Sequence, residues 1–401
     1  MDENSVQEAS SPANTNSNSG RHISEDESSP QTEDVQTLKA EVAFLREQLD
    51  IIQGKDRLEV DMYMDQLEML KTGAGAWPLL DPAAFREMVR RFMYRIEHWC
   101  RSYARQGLPD TTGLSVLEKQ AIVRSLEGYW VQDLEWDTLM KSLPYPFSLY
   151  MSEVLAQTIL TKNIMDKFFV NPFWYLEEKE FHQQTSATSS VSCAQNLQHL
   201  YHRFLETNPL RASHWRRETV RLSNSVMIAQ APKLELGQQT KEYRTKAVSL
   251  LASTLLSDPF FRRLLKTVES DEAKKRDNNL LEICKVADEI AISLGSSDGY
   301  CLYKTLANVG TTFDRRANET IAHNLHAVLE ESDHARLAGR RIIGITRPAI
   351  VLKLTTLMRD ETILNEAELL VEHGDYTQED FERDRPKPAT ESDEEDEKEE
   401  D

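Results

Sequence analysis

The sequence predicts a mostly α protein: an N-terminal coiled-coil arm, then a multi-helix bundle body, with disordered acidic termini. Three observations carry that expectation. A 3-4 apolar seam runs from Val35 to Ile52. Helix-period segments fill the middle of the chain, where strand signals are rare and hydrophobic residues, 40% of the whole, suffice for a core. The net charge of −20 is concentrated at the ends: residues 1–34 sum to −7, residues 379–401 to −9, and residues 35–378 only to −4.

The first 33 residues are Ser-, Asn- and Glu-rich with few apolar side chains, a composition that does not offset the entropy of ordering. The seam follows. With Val35 as heptad position a, the a residues are Val35, Val42 and Leu49, and the d residues are Leu38, Leu45 and Ile52. In a parallel pair Asp34 would face Lys39 and Glu41 would face Arg46. β-branched side chains at a with Leu at d favour two strands. Gly54, Asp56 and Glu59 interrupt the seam, and the stripe resumes displaced at Val60, Tyr63, Leu67 and Leu70, a stutter or a hinge. The arm, residues 34–72, is expected to pair with another copy through 35–70; docking on its own body is the alternative.

The body opens at WPLLDPAAF. Asp81 is a good N-cap, Pro82 suits the first helical position, and Leu80 can staple onto Phe85. Phe85, Val89, Phe92, Ile96, Trp99 and Tyr103 stripe that helix. Ser115 and Glu118 form a capping-box pattern for the next. A short Trp-rich helix follows, and then a long one over 147–168. An aromatic knot, FFVNPFWYL, surrounds Pro172. The polar stretch TSATSSVS divides a first helical subdomain (77–182) from a second (190–374), unless both form one body. The second is expected to hold helices over 190–206, 210–225 and 241–256. Asp258-Pro259 caps another. Leu280, Cys284, Ala287, Ala291 and Leu294 stripe a further one, which Gly295 stops. Helices near 317–337 and 348–372 would finish the body, and 379–401 would be a disordered acidic tail.

Candidate functional residues fall in three groups. Arg203, Arg211, Arg216, Arg217 and Arg221 form one basic cluster and Arg336, Arg340, Arg341 and Arg347 another. Guanidinium forks suit carboxylates and phosphates, so an anionic partner or the acidic tail could dock there; internal ion pairing is the bland alternative. His323, His326, Glu330 and His334 share one helix face by spacing. Because Ile321, Leu325 and Val328 mark the opposite, buried side, a solvated face is expected rather than a metal site. Ser24, Ser29 and Ser392 resemble phosphorylation sites, where added charge would compete for the arginines.

Several classes are disfavoured. Nucleotide-binding, nucleophile-elbow and HExxH motifs are missing, so no catalytic residue and no cofactor is assigned. Four scattered cysteines without CxxC argue against disulfide and zinc frameworks. The acidic, Pro-containing segment before the seam removes a bZIP-type DNA reader, which needs a basic helix there. No apolar run reaches membrane-spanning length and no signal-like leader is visible, so an intracellular protein, cytoplasmic or nuclear and not secreted, is expected.

NPFWYL (171–176) and HLYHRFLETNPLRASHWRRETVRLSNS (199–225) resemble a pattern in uncharacterised all-helical proteins of filamentous fungi with an N-terminal coiled coil. The resemblance implies a fold unit over about 77–372, its aromatics and prolines locking helix junctions, and it carries no catalytic residues. The functional expectation is a non-enzymatic scaffold or regulator that binds protein partners. A nuclear regulator without its own DNA-reading element is the alternative, and an enzyme with an unrecognised helical-bundle site comes third.

Overall fold

The computed structural model describes residues 38–52, 54–55, 60, 63–64, 77, 80–109, 111, 113–176, 192–326, 336–354 and 361–384. Two units cluster separately, Met1–Glu68 and Met69–Asp401. In the first, residues 38–52 form helix α1. The disordered-arm and linker expectations, Val35, Asp56, Glu59, Leu67, Leu70, Glu330, His334, Ser24, Ser29, Ser392 and the tail from 385 lie outside the described residues.

The second unit is mostly helical. Its helices are α2 (Pro82–Tyr103), α3 (Val116–Ser125), α4 (Trp136–Ser142), α5 (Tyr145–Ile164), α6 (Cys193–Thr207), α7 (Pro209–Ser223), α8 (Glu235–Ser257), α9 (Pro259–Leu264) and α10 (Ser270–Gly295). Local chemistry sets their starts. The Asp81 carboxylate accepts from the Ala84 N–H at 2.7 Å, and Ser115 and Glu118 complete the reciprocal box. Asn208 and Asp258 cap α7 and α9, each with proline in the first turn. α5 runs on into a π turn, Met165–Phe169, before the aromatic knot.

Among the described residues, the region between α10 and residue 371 departs from the expected helices. The spans expected as helices near 317–337 and 348–372 carry strands there, with 327–335 and 355–360 outside the described residues. The strands are β1 (Tyr300–Lys304), β2 (Thr320–Ala322), β3 (Ile342–Arg347), β4 (Ala349–Lys353), β5 (Glu361–Asn365) and β6 (Ala367–Val371). A helix α11 (Gln378–Asp384) occupies the start of the stretch expected as a disordered tail, with Phe381 against Tyr145 at 5.9 Å. The strands form two three-stranded sheets, ordered β1-β4-β5 and β2-β6-β3. Every pairing is antiparallel except β2 with β6. The two sheets are joined as one bent ribbon: β3 passes into β4 around Pro348, and β5 into β6 around Glu366. Asn365 secures both bends, its amide donating to the Pro348 and Glu366 carbonyls at 2.8 Å each.

The reason for the strands is burial. β6 is buried along its whole length, and β3 and β4 are buried at all but their last residues. Strands covered on both sides read as continuous apolar runs, not alternations. α5 packs on β3 and α2 on β5, while α10 lies against α2 and α8. Gly344 permits one close approach: a Cβ there would sit 2.9 Å from Trp130 Cδ1. The core is continuous from α2 and α5 through α10 to the strands, so residues on both sides of the 177–191 stretch share it.

Candidate functional site

In α1, the seam residues Leu38, Val42, Leu45, Leu49 and Ile52 are 46–60% exposed, a continuous apolar stripe on a single chain. Glu41 and Arg46 flank it on either side by heptad position.

The basic cluster spans α6 and α7 and divides by burial. Arg203 and Arg211 are exposed, but Arg216, Arg217 and Arg221 are only 4–7% exposed. They close the C-terminal end of α10. Arg221 Nε donates to the Ser296 carbonyl at 2.9 Å, Arg216 donates to the Ser297 carbonyl, and Arg217 pairs with Asp298. Glu218 accepts from Arg217 at 3.0 Å and lies 3.4 Å from Arg221. Cations at a helix C-terminus meet its partial negative charge, which accounts for three guanidiniums there. Nearby carboxylates hold the Arg217 guanidinium above its ordinary pKa, against the effect of burial. Arg340 and Arg341 are likewise engaged internally, with Asp375 at 3.1 Å and with Asp133 at 2.5 Å. Among the described residues the two clusters share no partner.

The aromatic knot frames this junction. Phe173 meets Trp215 at 5.3 Å and Tyr201 at 5.9 Å, and Phe204 meets Trp215 at 5.4 Å. Beside it opens a pocket of about 380 Å³ between the π turn, α6, α7, the end of α10 and β1. Phe168, Phe169, Leu205, Leu294 and Leu302 make it apolar. Arg216, Tyr201, Tyr303 and Cys301 are among its polar groups. Burial raises both phenols and pushes the Cys301 thiol up to about 11, so all three stay protonated at neutral pH. The thiol is therefore a poor nucleophile. Arg216 is the pocket's permanent charge.

His323 and His326 are not on a solvated helix face; Glu330 and His334 lie outside the described residues. His323 follows β2 and His326 ends a 3₁₀ turn; they are 5% and 0% exposed, while Ile321, expected inside, is 38% exposed. His326 Nε2 accepts from the Val371 N–H at 3.1 Å, and its ring lies 4.8 Å from that of Phe147. Glu368 is also buried, accepting from Gln157 at 3.1 Å and from Thr346, with Arg347 at 3.7 Å. Burial alone would raise its pKa, but His323, Arg347 and the two hydrogen bonds hold it below the usual carboxylate value. Among the described residues no group of three His, Cys, Asp or Glu side chains is placed to hold a metal ion. No described helix is long and apolar enough to cross a membrane.

The strand pairing, the buried histidines and the pocket were missed by sequence reasoning. The signal for the strands was the β-branched run Ile342, Ile343, Ile345, Thr346, Ile350, Val351. No family model, curated protein or solved structure matches the chain.

Proposed function

We propose that this protein is a non-enzymatic scaffold or regulator that self-associates through α1 and presents its body to protein partners. The supporting observation is the stripe Leu38, Val42, Leu45, Leu49 and Ile52, open to solvent along one helix. Left in water it is unfavourable; seated in a parallel pair, each side chain gains about 1.5–3 kcal/mol of burial. A second copy is the occupant that fits, because the stripe has heptad spacing and Glu41 meets the Arg46 of an identical partner in register. Pairing two arms brings two bodies together and doubles the valency of any surface they carry.

Leu45→Asp with Leu49→Asp in the full chain tests this. Both positions are exposed, so folding of the body is unaffected. Loss of two seam leucines from each copy removes enough burial to weaken a dimer more than a thousandfold. Light scattering then reads one chain where the unaltered protein reads two. An unchanged mass for the double variant refutes the seam.

A further inference from the structure

The pocket beside the α7–α10 junction has no part in the self-association reading. Its chemistry is unbalanced in one respect. Arg216 is 4% exposed, and no ion pair reaches it among the described residues, although its neighbours Arg217 and Arg221 both have carboxylates. Its one hydrogen bond goes to the Ser297 carbonyl, and its Nε has no partner. The Tyr201 hydroxyl is buried close to Ser213, yet neither hydroxyl makes a hydrogen bond of good geometry. A buried charge without a counter-charge is costly, and buried donors without acceptors add to the cost. Arg216 and Tyr201 line one apolar pocket of about 380 Å³, within the size range of small-molecule sites. The adjoining π turn, Met165–Phe169, is a distortion often found where a helix serves a site.

We infer that this pocket binds a small monocarboxylate with an apolar body, its head on Arg216 and Tyr201 and its tail among Phe168, Phe169, Leu205 and Leu302. One argument fixes the charge of the head. The pocket offers a single guanidinium, with phenol and thiol donors and no second permanent cation, so one negative charge is matched and a phosphate dianion is not. A second argument makes the site one of binding, not of reaction. Cys301, the strongest nucleophile in the lining, remains a protonated thiol, and His202 stands at the exposed edge. Ligand entry would supply the missing counter-charge to Arg216 and brace α6, α7, α10 and β1 against one another.

Titration calorimetry on the full chain tests the inference, with octanoate and 2-naphthoate as probes. Octanol, 2-naphthol and octyl phosphate serve as comparison compounds. The expected result is saturable binding of one carboxylate per chain, at least tenfold tighter than the alcohols and tighter than the phosphate. Arg216→Gln should weaken carboxylate binding tenfold or more and leave alcohol binding unchanged. Because Arg216 also closes α10, Ala291→Phe provides an independent variant: it fills the pocket and should abolish binding of every probe with circular dichroism unchanged. Absence of saturable carboxylate binding overturns the inference. So does equal affinity for alcohol and acid, a preference for the phosphate, or undiminished binding by Ala291→Phe.

Discussion

Acid should unfold the body in a pH range where few other groups titrate, and His326 should account for a defined share of that effect. Its ring is fully buried, its Nε2 is occupied by the Val371 N–H, and Phe147 covers it. Burial is the main reason its pKa lies well below the ordinary value, and His323 and His373 add to it. Burial also lowers His323, where Glu368 and Glu97 oppose the shift and Arg347 and Arg101 reinforce it. His373 is lowered by burial and by Arg340 and Arg336, against Asp375 and Asp380. The sign follows from proton linkage. A histidine neutral in the fold and free to protonate when unfolded favours folding above about pH 6.5, and that stability is lost as pH falls from there toward the depressed folded value. Each such group contributes a slope of about 1.4 kcal/mol per pH unit, so His326 alone removes about 2 kcal/mol by pH 5. Urea midpoints followed by tryptophan fluorescence at pH 7.5, 6.5, 5.5 and 5.0 read this directly. His326→Asn retains an acceptor for Val371, costs stability at pH 7.5, and should flatten the decline by about 1.4 kcal/mol per unit. A stability independent of pH between 6.5 and 5, or an identical slope in the variant, would refute the burial argument.

Other perturbations have similarly definite expectations. Arg244 grips Asp288 with two bonds of 2.8 and 2.7 Å and reaches Asn224 at 2.9 Å, so Arg244→Met should cost about 3–5 kcal/mol by leaving a buried carboxylate unpaired. Adding Asp288→Leu should recover much of that loss, and a strictly additive double variant in urea melts would disprove the coupling. At Gly237 a Cβ would come within 1.8 Å of the Ser225 carbonyl oxygen, so Gly237→Ala should lower stability by about 3 kcal/mol. Asp258→Ala removes the cap that accepts from Phe261 at 2.7 Å and should cost about 1 kcal/mol, read as a lower thermal midpoint. Gly54 is helical with nothing near its missing Cβ, so Gly54→Ala should gain about 0.5–1 kcal/mol of helix and tighten self-association in dilution series.

Helix starts were legible because their causes are local. Asp81, Ser115 and Asp258 each cap a turn three residues away. The strands were not, because ETILNEAELLVE carries Glu, Ala and Leu, good helix formers, and its burial on both sides in β6 erases the alternation that marks a strand. Tertiary pairing overrode propensity there. The arginines of α7 were visible as a cluster, but their partners lie 75 to 81 residues downstream, so spacing alone did not distinguish an internal clasp from a docking face. For His323 and His326 the reason is related: a helical period was assumed where residues 320–326 make a strand and a tight turn. The pocket depends on five separate segments and has no contiguous motif.

Sedimentation equilibrium of the unaltered full chain tests the central claim most directly. Self-association through α1 predicts a concentration-dependent mass approaching twice the 46.1 kDa of one chain. A mass that stays at one chain across the micromolar range would contradict it.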